Sequence, residues 1–216
     1  MGHVTDDHIP PQSLFPSSKP SELIYVPGCS ACNQGWTKDD EFFKTVVTLS
    51  EHTDNSSNAG GARAASLRAL ERPNAKGFSK MLLSKTFYAD VFTPRGVFVE
   101  RRMGINVDKE RIDRVVGKTV RGLFYKFSGR LLGDDYDIHV DTNETLERAD
   151  PQTLRAMQEQ IIKPLSACPE ISAASGSFRF RYSIPDPTIN ASVWALVFYS
   201  RLPFLCITGP KDYLPK

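Results

Sequence analysis

The sequence predicts an α+β fold in which strands and helices are segregated along the chain. Two observations carry this. Ile112, Val115, Val116, Val120, Leu123, Phe124 and Phe127 recur at the helical period between Asp108 and Gly129, which marks a long helix closed by glycine. The C-terminal segments Ser177 to Tyr182, Ser192 to Tyr199 and Phe204 to Thr208 read as strands of an antiparallel meander. No internal repeat is evident.

The remaining elements follow in order. Residues 9 to 29 hold five prolines, Pro10, Pro11, Pro16, Pro20 and Pro27, which oppose a helix and favour an extended, irregular loop. Leu23 to Val26 is the strand candidate there, closed by a turn at Pro27-Gly28. Thr37 and Asp40 have the spacing of a capping box, opening a helix to about Leu49 with Phe42, Phe43, Val46 and Val47 as apolar positions. Asp39, Asp40 and Glu41 suit that helix N-terminus through the macrodipole. Residues 50 to 62 read as a polar linker, residues 62 to 72 and 76 to 86 as helices, and Phe87 to Phe92 with Gly96 to Arg101 as a hairpin. A further helix is expected over about 151 to 163.

The chain has 216 residues, 27 Lys+Arg against 25 Asp+Glu, 40% hydrophobic and 24% charged residues. That composition is ordinary for a globular protein and opposes wholesale disorder. A net charge of +2 by itself gives no warrant for nucleic-acid binding. No apolar run reaches the length of a bilayer span, and Met1 to His8 show no signal-peptide pattern. The expectation is a cytoplasmic protein without membrane association. Four cysteines do not make a disulfide scaffold, and Cys29 and Cys32 stand as a Cys-x2-Cys pair. In a reducing compartment such a pair reads as metal ligation or as a tight turn with two thiols, and both readings stay open.

The chemistry concentrates near the start. Asp7-His8 precedes the proline-rich loop, the strand at Leu23 to Val26, the cysteine pair and Asn33, just before a helix. A hairpin with a helix packed across it would bring Asp7, His8 and Asn33 together. Carboxylate and amide oxygens suit magnesium or manganese, and a neutral imidazole can take a proton from water near neutral pH.

These residues resemble the HNH endonuclease family, whose ββα-metal core carries an Asp-His pair, a hairpin and a Cys-x2-Cys-Asn or Cys-x2-Cys-His knuckle. The resemblance covers about residues 5 to 44. Lys118 to Tyr125 and Trp194-x3-Phe198-Tyr199 also look like pieces of a bacterial and phage HNH-type group. The resemblance implies a treble-clef-type ββα-metal module over residues 1–50, followed by a mixed helical and antiparallel-sheet domain over 51–216. It implies a divalent-metal-dependent nuclease acting on DNA, with RNA as the other candidate substrate. His8 would be the general base, Asp7 and Asn33 the metal ligands, and products with 5′-phosphate and 3′-hydroxyl ends would follow. Many members carry a second cysteine pair upstream of the Asp-His, completing a zinc site. No cysteine precedes His8 here, so Cys29 and Cys32 are candidate zinc ligands lacking the other two that a structural site needs. The family's orienting Asn falls near Glu22, which makes Glu22 a candidate for that role. The alternative expectation is an inactive HNH-like protein that binds nucleic acid or serves structurally.

Arg111, Arg114, Lys118 and Arg121 lie opposite the apolar stripe of their helix, within roughly an 80° arc at 100° per residue. Such a row could track phosphates, or simply be a solvated face. Arg179 and Arg181 alternate with Phe178, Phe180 and Tyr182, as on a half-buried strand. Phe124, Phe127, Trp194, Phe198 and Tyr199 read as core. His3, His52 and His139 have no neighbouring ligand pattern and read as solvated. Oligomeric state is not legible.

Overall fold

The computed structural model describes residues 4–15, 22–53, 56–186 and 188–212, with the side chains of Ala31, Cys32, Asn143 and Glu147 outside the description. His3 also lies outside it. Strands β1 (Val4–Ile9) and β2 (Ile24–Cys29) form an antiparallel pair, followed directly by helices α1 (Ser30–Gly35) and α2 (Thr37–Leu49). Helices α3 (Gly60–Leu70) and α4 (Lys76–Ser84) lead into the hairpin of β3 (Thr86–Phe92) and β4 (Phe98–Ile105). Then come α5 (Lys109–Ser128), β5 (Tyr136–Thr142), α6 (Asn143–Glu147), α7 (Pro151–Met157) and α8 (Lys163–Ser166). The chain closes with β6 (Ile171–Ala173), β7 (Phe178–Asp186), β8 (Ala191–Phe198) and β9 (Leu202–Pro210). The α+β expectation holds. A five-stranded sheet, fully antiparallel, runs in the order β5-β9-β8-β7-β6.

Local chemistry explains the main boundaries. The Asp108 side chain accepts from the Arg111 backbone N–H at the start of α5, as an N-cap carboxylate does. Gly129 ends α5 at φ 69°, its N–H donating to the Tyr125 carbonyl, a left-handed position that costs glycine nothing. The capping box expected at Thr37 is absent. Trp36 holds the N-cap position without a side-chain bond, because the Thr37 hydroxyl turns back to donate to the Gln34 carbonyl. Between α7 and α8 the expected helix continues through a π-helical turn over residues 158–162.

Strand β5 and helix α6 are additions to the sequence reading. Tyr136, Ile138 and Val140 alternate with polar residues, a period-two signal, and the strand joins the sheet beside β9. His139 lies on it, its Nε2 at 3.3 Å from an oxygen of Asp141.

One apolar cluster runs through the whole chain. It joins Ile9, Leu14, Phe42 and Phe43 from the first fifty residues to Val115, Leu123 and Phe124 of α5 and to Phe178, Trp194, Phe198 and Phe204 of the sheet. Phe43 meets Phe198 edge to face, with centroids 5.3 Å apart. The division at residue 50 therefore separates segments of sequence, not two cores. Within the core, Trp194 donates to the Ser192 hydroxyl, which lies 2.6 Å from the Thr208 hydroxyl, so these three buried side chains satisfy one another. Phe124, Trp194, Phe198 and Tyr199 are buried as expected, whereas Phe127 is 38% exposed, its ring against Phe180 and Tyr182 of β7.

Candidate functional site

The β1–β2 pairing runs from Val4 opposite Cys29 to Ile9 opposite Ile24. It is seated on α5 by Ile9, which is buried against Gly122: a Cβ there would stand 2.5 Å from the Ile9 Cδ1. The glycine thus sets how closely β1 approaches the helix. Further along, the Tyr199 hydroxyl donates to the Leu14 carbonyl, tying the proline-rich loop to the far end of β8. Burial raises the Tyr199 hydroxyl's pKa above the ordinary tyrosine range.

Helix α1 begins where β2 ends and folds back across β1. The Asn33 Nδ2 donates to the Asp6 carbonyl at 3.3 Å and to the Thr5 hydroxyl at 3.4 Å, leaving its Oδ1 as the acceptor. In consequence Asp7, His8 and Asn33 line one cleft of about 480 Å³, together with Thr37, Asp40, Glu41 and Lys44 of α2 and with Arg72. Asp7 also borders a larger apolar cavity of about 840 Å³ between β2 and α5. Glu22 does not line the cleft. Its backbone carbonyl instead accepts from the Ala174 N–H at 3.5 Å.

The electrostatics of the cleft centre on Lys118. Its ammonium is 3.1 Å from Asp7 Oδ1 and 3.6 Å from Asp40 Oδ2, with only 8% of the side chain exposed. It also stands 5.9 Å from the centroid of the Trp36 ring, within cation–π range. Burial pushes the Asp40 carboxyl up to about 6. Lys118 pulls it down and the neighbouring Asp7 charge pushes it further up. Its Oδ1 is buried with no hydrogen-bond partner, a costly condition for a carboxylate oxygen. At the rim of the cleft, burial lowers the Lys44 ammonium's pKa, with Glu41 opposing and Arg72 reinforcing the shift.

Arg111, Arg114, Lys118 and Arg121 of α5 each have a partner within the protein. Arg111 donates to Asp39 Oδ1 at 2.7 Å and to the Lys38 carbonyl at 2.6 Å, and its guanidinium lies 4.3 Å from the Phe42 ring centroid. Arg114 donates to Asp39 Oδ2 at 2.8 Å. Arg121 donates to the carbonyls of Leu132, Gly133 and Tyr136. Opposite the apolar stripe, α5 turns Arg111, Arg114 and Lys118 to the N-terminal turn of α2, with Arg114 still exposed beside it. Asp39 and Asp40 are the partners that receive its charge, a role beyond the macrodipole reading. The Arg114 hydrogen bond, followed by Arg111, holds the Asp39 carboxyl below the usual range against the opposing effect of burial.

As a donor set, Asp7 and Asn33 offer the oxygens a hard divalent cation takes, and the orphaned Asp40 oxygen is a third in the same cleft. Magnesium keeps several waters and needs only one or two carboxylates, so these residues fit such an ion in kind. Among the described residues, no three His, Cys, Asp or Glu gather in metal-holding geometry. Cys29 is disulfide-bonded, and the Cys32 side chain lies outside the description. Cys168 and Cys206 are free thiols, Cys206 fully buried, and burial raises its pKa. No helix among the described residues is long and apolar enough to cross a membrane.

Sequence reasoning missed Lys118 as the partner of Asp7, and Asp40, Lys44 and Arg72 as cleft residues. Thr37, Asp40, Glu41 and Lys44 fall at i, i+3, i+4 and i+7, one face of a helix, which was a readable signal. Nothing in the sequence links position 7 to position 118. Comparison with known protein families, with curated proteins and with solved structures finds no match for the chain.

Proposed function

We propose that the protein is a metal-dependent endonuclease of the HNH type, hydrolysing phosphodiester bonds in DNA at the cleft of Asp7, His8 and Asn33. One observation carries the reading. A strand pair followed by a helix, the order of a ββα-metal module, brings Asn33 back onto β1 so that all three residues line one cleft. The His8 imidazole, half-buried in that cleft, is the group that takes the proton from the attacking water. Asp7 and Asn33 would hold the divalent ion, and Asp40 stands beside them. Such an ion, when bound, supplies Lewis-acid neutralisation of the charge on the phosphate and leaving oxygen. Lys44 and Arg72, lining the same cleft, supply positive charge for the nucleic-acid backbone.

A second reading has its own support. Lys118 already neutralises Asp7 at 3.1 Å, which is the arrangement expected of an inactive HNH-like protein that binds nucleic acid without cutting it.

One assay separates the two. Supercoiled plasmid is incubated with the purified chain and magnesium or manganese, beside a His8→Ala variant and an EDTA control. The proposal expects nicking by the wild type that both controls abolish. Cleavage surviving in His8→Ala removes the assignment of the base. No cleavage with either metal by a folded chain that still binds DNA favours the inactive reading.

A further inference from the structure

The hairpin of β3 and β4 is apolar on a face that no described residue covers. Its register sets Tyr88 opposite Met103, Asp90 opposite Arg101 and Phe92 opposite Phe98. Side chains alternate between faces along each strand, with the bulge after Val91 bringing Phe98 and Val99 onto the same side. Tyr88, Phe92, Phe98, Val99 and Met103 are 71%, 56%, 55%, 54% and 59% exposed. The opposite face holds Arg102, which bridges Glu100 on the hairpin and Glu51 on the body. The ribbon is therefore anchored on one side and bare on the other.

We infer that this bare face is the contact between two copies of the chain. Two observations select that occupant. The first is area: aromatic side chains bury roughly 150–250 Å² each, so the five residues expose on the order of 550 Å² together. Two copies face to face would remove up to about 1,100 Å² from these residues, which reaches the roughly 1,000 Å² a specific interface needs. The second is charge. Arg101 and Asp90 form a bidentate pair, 2.7 and 3.3 Å, at the centre of the face. Each copy thus presents both signs at one place, and a two-fold rotation sets Asp90 of one copy against Arg101 of the other, the self-complementarity an isologous dimer requires. Nucleic acid is a poorer occupant, because Asp90 balances the charge of Arg101 on this face and leaves it without the positive excess a phosphate backbone needs. Dimerisation also gives a two-stranded ribbon the second layer without which such hairpins are marginal in water.

Analytical ultracentrifugation of the full chain, over a concentration series of about 1 to 100 μM, tests this. The expected wild-type mass approaches that of two chains. Met103→Glu and Tyr88→Glu should each weaken association at least tenfold, while Leu131→Glu, at a residue 76% exposed but off the ribbon, leaves it unchanged. Asp90→Arg and Arg101→Asp should each weaken the dimer, and the two together should restore it. Circular dichroism establishes that each variant is folded. A wild type monomeric at every concentration overturns the inference, as does a dimer indifferent to the ribbon variants. A monomer whose DNA binding is lost in those variants assigns the ribbon to nucleic acid instead.

Discussion

Replacing Lys118 with Met keeps most of the buried stem and removes the ammonium that Asp7 and Asp40 share. The cost is bounded by protonation. A single proton on the carboxylate pair relieves their repulsion, and Asp40, with a folded pKa of about 6, takes it most readily. At pH 7 that proton costs about 1.4 kcal/mol, one pH unit. Asp7 loses its ion pair as well, roughly 0.5 to 1 kcal/mol for a pair of this partial exposure. The variant should therefore be about 2 kcal/mol less stable than the wild type at pH 7. At pH 5 Asp40 is already protonated in both proteins, and the difference should shrink to the Asp7 share, below about 1 kcal/mol. The sign follows from the raised pKa: the stability associated with Asp40 is fully present below its unfolded value near 3.8 and is lost as pH rises through about 6. Urea unfolding in EDTA at the two pH values measures both differences. In an Asp40→Asn background the same Lys118→Met change should cost only the Asp7 share, a difference nearly independent of pH. An equal loss at pH 5 and pH 7 in the single variant would refute the reasoning, showing that Lys118 acts through its stem.

Two further variants test the scaffold around the cleft. Gly122→Ala drives a methyl into the buried Ile9. Despite alanine's helix preference of about 1 kcal/mol, overpacking should leave it about 1 kcal/mol less stable in chemical denaturation, and an increase in stability would show that β1 yields at no cost. Asp39→Asn removes the anion that binds both Arg111 and Arg114. Because the Asp39 pKa is lowered, its contribution is present above about pH 4 and lost as pH falls through its folded value. A loss of about 1 kcal/mol at pH 7 should shrink as pH falls below about 4, as followed by thermal unfolding across pH.

How far the sequence could be read depended on the range of the interaction. Helix α5 was legible from cap to cap, because Asp108, the apolar period and Gly129 all act within a few residues of one another. The meander was legible for the same reason, its alternation lying within each strand. Strand β5 carried that alternation too, but it is short and polar, and only its place beside β9 makes it a strand. The site was half legible. Asp7, His8 and Asn33 stand in a recognisable local order, whereas their electrostatic setting comes from Lys118, over a hundred residues away. The basic row of α5 shows the limit most clearly. Its helical arc was correct, but a helical arc does not say whether water or the acidic turn of α2 lies against it.

The bond between Tyr199 and Leu14, and the packing of Phe43 on Phe198 and Phe204, bear on the order in which the chain matures. Phe43 and Leu14 leave the ribosome well before β8 and β9, yet the surfaces that bury Phe43 and hold Leu14 belong to those later strands. Contacts of such long sequence separation form only after their loop closure. The cleft between β1 and α2 thus gains its final support only once β8 and β9 have been made, and a chain cut short before β9 would carry Asp7, His8 and Asn33 without the framework that sets their spacing.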